Sequence, residues 1–186
     1  HIKLRQYKVA GKKKKKNLTA IAVIAALTLI AGIIALAWLA GGPSEKETKD
    51  ITVFFSDEDG LYLKAEKQTI EKGSPDAEAA QAVEALIKGP LDAKSGKILP
   101  NGTKLLSVKI DGAVAIVDLS PEVIKNHEGG SSGELQTVYS IVNTLALNFP
   151  AIKEVQILVD GRKEETIAGH IDITAPLGPD RKLVKD

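Results

Sequence analysis

The 186-residue chain contains no cysteine, no methionine and only three histidines, and aromatic residues make up 4% of it. Without cysteine it cannot form a disulfide scaffold, an iron–sulfur centre, a thiol nucleophile or a cysteine-based zinc site. Without methionine, and with His1 at the first position, the chain is expected to be processed or truncated at its N-terminus.

Acidic residues are missing from the first 17 positions, which hold eight of the chain's 25 Lys and Arg residues. The other 17 cations and all 24 acidic residues lie in residues 18–186, so that part has a net charge of −7. Nucleic-acid-binding domains carry excess positive charge on the surface that faces the phosphates. The acidic composition therefore predicts no nucleic-acid partner for the folded part of the chain.

Polar side chains are nearly absent from the run that begins at Leu18 and ends at Leu39, where Thr19 and Thr28 are the exceptions. A helix of this length rises about 33 Å, enough to cross a hydrocarbon core of about 30 Å. A buried helix of a soluble protein normally has a polar stripe, and this run has none. The run therefore predicts a membrane-spanning helix in contact with the lipid bilayer.

Positive charges flank this run on one side. Five lysines at 12–16 precede it, and Trp38 lies near its far end. The positive-inside rule predicts that the N-terminus stays in the cytoplasm and that the chain after the run lies outside the cell membrane. We therefore predict a basic cytoplasmic tail (1–17) and a single-pass transmembrane helix that acts as a signal anchor (18–40). A cleaved signal peptide, with Ala35-Leu36-Ala37 as its cleavage site, is the alternative.

Short β-branched runs and helix-periodic segments alternate in residues 51–177. A charged linker at residues 41–50 precedes them, and a flexible tail is predicted at residues 178–186. The pattern predicts an α+β domain, with a small mixed sheet and two helices packed on one face of it. The predicted strands cover residues 51–55, 61–70, 103–110, 113–119, 155–159 and 166–173.

Capping residues mark both predicted helices. Ser74-Pro75 predicts an N-cap followed by proline at the first helical position, and Gly89 ends that helix. Ser131 and Glu134 have the spacing of a capping box at the start of the second helix, which Pro150 ends. Apolar residues recur at helical spacing in both segments, so each helix is predicted to have one apolar face.

No catalytic constellation can be assembled from these residues. His127 is expected to be solvated and His170 to be structural, and no serine stands in a G-x-S-x-G motif. The acidic turn at residues 57–60 fails as an EF-hand, because Leu61 stands where an oxygen ligand is needed and Gln68 stands where the pattern needs glutamate. We therefore predict no catalytic residue, no cofactor and no metal site. A hydrolase that uses two carboxylates has no sequence motif and remains an alternative.

Four motifs in the predicted domain resemble those of the GerMN domain family of sporulation and spore germination. They are L-x-x-G-P at residues 86–90, L-P-x-G-T at 99–103, V-D-L-S at 117–120 and V-x-I-x-V-x-G at 155–161. The resemblance implies a small α+β domain similar to the ring-building motifs of bacterial secretion and sporulation machines. It also implies function through protein–protein contact outside the membrane, and it supplies no catalytic residue.

These observations favour a non-enzymatic, membrane-tethered interaction or assembly module of the bacterial envelope, GerM-like and linked to sporulation or germination. Its partner would be an envelope protein or a second copy of the chain, bound through a sheet edge or a helix face. The alternative is an envelope domain that binds peptidoglycan or another glycan. Two loops are candidates for contact, since loops tend to carry function. Their residues are Asp57, Glu58 and Asp59 in the first, and Glu128, Gly129, Gly130 and Ser131 in the second.

Overall fold

A computed structural model of the chain describes residues 20–37 and 46–185. The first described part is helix α1 (Ala20–Ala37), whose mean hydropathy is 2.8 and whose residues are all exposed. It is long and apolar enough to cross a membrane, as an anchor or a signal sequence does. The predicted tail at 1–17, the ends of the apolar run and the first half of the linker lie outside the described residues. Residues 46–186 form a separate compact unit with its own hydrophobic core.

The compact unit begins with an antiparallel hairpin of β1 (Thr48–Ser56) and β2 (Leu63–Glu71). Strand β1 starts three residues earlier than predicted, so the end of the predicted linker belongs to the sheet. Ile51, Val53 and Phe55 of β1 alternate along the strand and are buried in the core. This alternation is the pattern of a strand with one face against a core.

Helix α2 (Pro75–Lys88) follows the hairpin and confirms the predicted caps. The hydroxyl of Ser74 accepts a hydrogen bond from the backbone N–H of Ala77 at 3.3 Å. Gly89 ends the helix with a φ of +101°, a backbone conformation that favours glycine. The helix packs its small and aliphatic residues against the core, and it contacts both strands of the hairpin.

A second sheet contains β3 (Leu105–Asp111), β4 (Val114–Leu119) and β5 (Glu154–Val159). Strands β3 and β4 are antiparallel, and β4 and β5 are parallel, so this sheet is mixed. Helices α3 (Glu122–Lys125) and α4 (Ser131–Asn148) lie between β4 and β5 in the sequence. The α+β class is confirmed, and the strands divide between two small sheets.

Helix α4 is buried on nearly all sides, although the sequence predicts a single apolar face. It contacts β1, β5 and α2, so few of its residues face water. Polar residues are therefore buried beside the apolar ones, among them Gln136, Ser140, Asn143 and Thr144. Buried polar side chains need hydrogen-bond partners. Gln136, Asn143 and Thr144 find theirs outside α4, whereas the hydroxyl of Ser140 donates to the carbonyl of Thr137 within the helix.

Side chains of α4 hydrogen-bond the edge of β1. Asn148 accepts a bond from the backbone N–H of Thr52 through Oδ1 (2.7 Å) and donates to the Thr52 carbonyl through Nδ2 (2.6 Å). Thr144 Oγ1 accepts a bond from the N–H of Phe54 at 3.2 Å. One amide side chain thus replaces the donor and the acceptor that a neighbouring strand would supply.

The other outer strands are also partly covered by the chain itself. On β3, the N–H of Ile110 donates to Asp76 Oδ1 of α2 at 3.0 Å. On β5, Val155 exchanges two backbone bonds with Leu177, each 2.9 Å long. On β2, the carbonyl of Leu63 accepts a bond from the N–H of Lys185. Covered edges protect a sheet from pairing with other chains.

The predicted last strand, residues 166–173, is wrong, because this segment is irregular. Its N–H groups at Ile167, Ala168 and His170 donate to the carboxylate of Glu134 and not to a neighbouring strand. Gly169 has a φ of +94°, which interrupts an extended conformation.

The tail that the sequence predicts to be flexible is attached to the domain throughout its described length. We call residues 177–185 the C-terminal strap. Beyond the pairing at Leu177, Asn143 and Asp180 exchange two hydrogen bonds of 2.8 and 2.9 Å. A short 3-10 helix (Arg181–Leu183) follows, and Val184 forms a parallel bridge with Leu63. The strap therefore joins β5, α4 and β2.

Candidate functional site

A cleft of about 560 Å³ lies beside the first two turns of α4. Its walls are the turn at residues 97–101, the loop at residues 126–129 and the side chains that α4 presents between them. Small-molecule and cofactor sites usually have volumes of roughly 300–1,000 Å³. We call this cavity the α4 cleft and treat it as the candidate site.

Backbone and amide hydrogen bonds hold the turn that forms one wall. Gly96 exchanges two backbone bonds with Ser56 at the end of β1, of 2.9 and 3.2 Å. Lys97 Nζ donates to Asn101 Oδ1 at 3.2 Å, and Asn126 Nδ2 donates to the Asn101 carbonyl at 2.7 Å. The L-P-x-G-T motif therefore positions a cation and two amide side chains at the cleft.

His127 is half-buried in the cleft wall, so the expectation that it is solvated is wrong. The N–H of Gly129 donates to its Nδ1 at 2.9 Å. The ring proton therefore lies on Nε2, which donates to Thr137 Oγ1 at 3.0 Å. Burial lowers the pKa of His127 below its usual 6.5, so the ring is neutral at pH 7. A neutral ring with both nitrogens occupied serves as a structural support of the loop.

Gln136 reaches the cleft from the second turn of α4, and it is only 7% exposed. Its Nε2 donates to the carbonyl of Gly60 at 2.6 Å, which joins the β1–β2 turn to α4. Because Nε2 points at a carbonyl, Oε1 points away from it. Oε1 has no hydrogen-bond partner among the described residues, and it is accessible to solvent at the cleft.

The predicted capping box is wrong in its details. Gly130 is the N-cap of α4, no side chain caps the helix, and Ser131 is its first residue. Glu134, the predicted partner of Ser131, is fully buried and accepts three backbone bonds of 2.7–2.8 Å from the segment around Ala168. Its Oε2 also contacts the imidazole of His170 at 3.1 Å. Burial by itself raises the pKa of Glu134, but the N–H donors outweigh burial and lower it.

Asp57 has a structural place in the first candidate loop. Its Oδ1 accepts bonds from the N–H groups of Leu61 and Tyr62, at 2.9 and 3.2 Å, and its Oδ2 pairs with Lys185 at 3.0 Å. Burial raises its pKa, but the Lys185 ammonium and the two N–H donors outweigh burial and lower the pKa to about 2. Asp57 thus shapes the turn and binds the strap, whereas Glu58 and Asp59 are exposed.

This pKa predicts an acid-dependent loss of stability. The ordinary value of 3.8 applies to the unfolded chain, so ionised Asp57 stabilises the fold above pH 3.8. That contribution is lost as the pH falls from about 4 to about 2. Urea unfolding of Asp57→Asn should show a smaller loss of stability than the wild type across this range. A parallel decline of both proteins would contradict the prediction. Glu58→Gln, which changes an exposed acid of the same turn, is the matched control.

The structure brings the two candidate loops to the same side of the domain. Glu128 and Gly129 line the α4 cleft, and Gly130 and Ser131 begin α4 beside it. The turn that contains Asp57, Glu58 and Asp59 reaches the cleft through the bond from Gln136 to Gly60. Sequence reasoning missed most of the cleft, including four long polar side chains. These are Lys97, Asn101, Asn126 and Gln136, of which only the first two lie in or beside a recognisable motif.

No group of three or more His, Cys, Asp or Glu side chains among residues 20–37 and 46–185 is placed to hold a metal ion. The acidic turn is occupied by hydrogen bonds and by the Lys185 ammonium, as described above.

Comparison with known proteins relates the domain to one family. The profile of the family Germane, described as sporulation and spore germination, matches residues 52–165. Among solved structures, a candidate lipoprotein from Clostridium perfringens is 31% identical to the chain, with a TM-score of 0.53. The similarity covers 74% of this chain and 93% of that one. No curated protein matches at a significant level.

Two further structures are of GerMN domains of the sporulation protein GerM from Bacillus subtilis. The tandem domains are 23% identical, with a TM-score of 0.59, over 71% of this chain and 46% of that one. The first GerMN domain alone is 22% identical, with a TM-score of 0.54, over 72% of this chain and 98% of that one. At these identities the similarity shows a shared fold.

Proposed function

The chain belongs to the Germane family of sporulation and spore germination proteins, and on that premise we propose that its GerMN-like domain is a non-enzymatic protein-interaction module. Helix α1 tethers it to the cell membrane, and the domain works outside the cytoplasm in envelope assembly linked to sporulation or germination. Its partner is an envelope protein or a second copy of the chain. The basic residues at 1–17 support this orientation, since positive charge is retained in the cytoplasm.

The observation that carries the proposal is a set of three exposed apolar side chains in the loops next to β2. Leu61 and Tyr62 are 63% and 44% exposed, and they directly follow the turn that Gln136 holds. Leu91 is also exposed, and an ion pair of 2.8 Å between Lys64 and Asp92 holds its loop beside β2. Exposed aromatic and aliphatic residues with charged neighbours are typical of protein–protein contact surfaces.

The covered strand edges refine the expected mode of contact. Strand addition needs a row of free N–H and C=O groups, and β1, β2, β3 and β5 each give some of theirs to the chain itself. The loops beside α4 are therefore better suited to contact than a sheet edge. A glycan is less well supported as the ligand, because no aromatic side chain is among the residues that line the cleft.

Chemical crosslinking in the native envelope tests the proposed function. The tagged full-length chain should yield adducts with an extracytoplasmic protein or with a second copy of itself. A chain that ends at residue 50 retains the anchor without the domain and should lose these adducts. Adducts that contain lipid only, or that are the same for both chains, would contradict the proposal.

A further inference from the structure

We propose that the α4 cleft binds an extended peptide segment. This inference rests on the proposed function and names the site through which the module takes its partner. The ligand chemistry is that of a peptide backbone, a chain of alternating N–H donors and carbonyl acceptors. Its source is a segment of a partner protein, in keeping with the proposed function.

The polar groups of the cleft match a peptide backbone in kind. Asn101 uses its Oδ1 and Asn126 its Nδ2 in the bonds that build the wall, so one amide NH₂ and one amide oxygen remain available. Gln136 adds an oxygen acceptor on a side chain that is more than nine-tenths buried. Side-chain amides donate and accept in the same way as the peptide group, so they pair with it in both directions.

The charges of the cleft argue against a strongly charged ligand. The lining contains one cation, Lys97, and one anion, Glu128, while His127 is neutral at pH 7. Phosphate-binding sites concentrate positive charge and N–H donors on the ligand. A balanced lining with amide groups is suited to an uncharged backbone, and the volume of about 560 Å³ lies in the usual range of ligand sites.

The apolar residues next to the cleft provide contacts for the side chains of such a peptide. The carbonyl of Gly60 accepts a hydrogen bond from Gln136 of the cleft. The exposed side chains of Leu61 and Tyr62 directly follow Gly60 in the sequence, so they lie close to the polar groups of the cleft. Tyrosine is a common anchor residue in protein recognition, and an exposed leucine beside it adds apolar area. A bound segment would thus place its backbone in the cleft and an apolar side chain against Leu61 and Tyr62.

Gly133 offers a way to fill the cleft without disturbing the fold. It lies in the first turn of α4 and lines the cleft, and an added Cβ would meet only His127 Cε1, at 3.7 Å. Its φ is not in the left-handed region, and leucine favours a helix more than glycine does. Gly133→Leu should therefore fold normally and occupy part of the cleft. Ser132→Leu adds the same side chain one position away, outside the lining, and is the matched control.

The test is photocrosslinking of the full-length chain in its native membrane. Benzoylphenylalanine replaces Glu128 at the cleft, or Lys153 just beyond the far end of α4 as a positional control. We expect a peptide-containing adduct from position 128 and none from position 153. Gly133→Leu should reduce the adduct at least tenfold, and Ser132→Leu should leave it unchanged. Mass spectrometry identifies the captured peptide, which should have the sequence of a protein segment.

Three outcomes would overturn the inference. One is an adduct from position 128 that Gly133→Leu leaves unchanged, and another is an adduct that contains glycan or wall peptide without protein sequence. The third is absence of an adduct from position 128 while chemical crosslinking of the same chain still captures an envelope protein. In that third case the proposed function stands and only the cleft is excluded, whereas loss of capture by both methods would remove the proposed function as well.

Discussion

Deleting residues 177–186 is expected to lower the free energy of unfolding of the domain by about 5 kcal/mol. The deletion removes three backbone hydrogen bonds of the strap, two to Val155 and one to Leu63. It also removes both bonds between Asp180 and the fully buried amide of Asn143. Each bond contributes about 1 kcal/mol net, and typical domains have only about 5–15 kcal/mol in total.

Urea and thermal unfolding of residues 46–186 and 46–176 measure this effect, since the compact unit has its own core. The midpoint temperature should fall by roughly 10–20 °C. A double variant, Arg181→Ala with Lys182→Ala, changes two exposed side chains of the same strap and should change stability little. Equal stability of the long and short forms would support the flexible tail that the sequence predicts.

Replacing Glu134 with alanine is expected to cost about 3 kcal/mol of stability, because three backbone N–H groups lose a charged acceptor in a buried place. The segment around Ala168 has no strand partner to replace that acceptor. Denaturant unfolding at pH 7 gives the difference. Glu128→Ala, an exposed acid six positions earlier, should stay within about 0.5 kcal/mol of the wild type.

The effect of Glu134→Ala should depend on pH. The pKa of Glu134 is lowered in the folded protein from its ordinary 4.5, so its carboxylate stabilises the fold above pH 4.5. As the pH falls below that value the unfolded chain takes up the proton first, so the contribution declines, and it is lost once the folded carboxylate is also protonated. The stability difference between wild type and Glu134→Ala should therefore narrow at pH 3. A difference that stays constant from pH 7 to pH 3 would show that lost packing, and not the charged acceptor, causes the effect.

The sequence predicted the parts of the fold whose signals are local. Ser74 and Gly89 define a helix through contacts within a few residues, as the structure confirms. The strand pair β3–β4 was predicted in the same way, from alternation on both sides of a turn at Gly112, which has a φ of +57°. The candidate loops were found because they separate such elements, and part of the second loop does line the cleft.

The errors concern polar residues whose partners are distant in the sequence. Ser131 and Glu134 have the right spacing for a capping box, yet Glu134 binds a segment more than 30 positions away. From the sequence, Gln136 is indistinguishable from an ordinary surface residue of a helix. In the structure it lies in the cleft because its amide hydrogen-bonds Gly60, 76 positions earlier. No local pattern distinguishes these residues from solvated ones.

By itself the sequence determined the α+β class, the apolar segment long enough to span a membrane and the family motifs, because caps, turns and periodicity act between near neighbours. Only the tertiary structure decided that α4 is buried on nearly all sides, that the last residues form a strap and that the α4 cleft exists. The reason is the burial of polar groups. Asn148 hydrogen-bonds Thr52, 96 positions away, and Lys185 hydrogen-bonds Asp57, 128 positions away. A buried polar group needs a hydrogen-bond partner, and the packing of the fold decides which distant residue provides it.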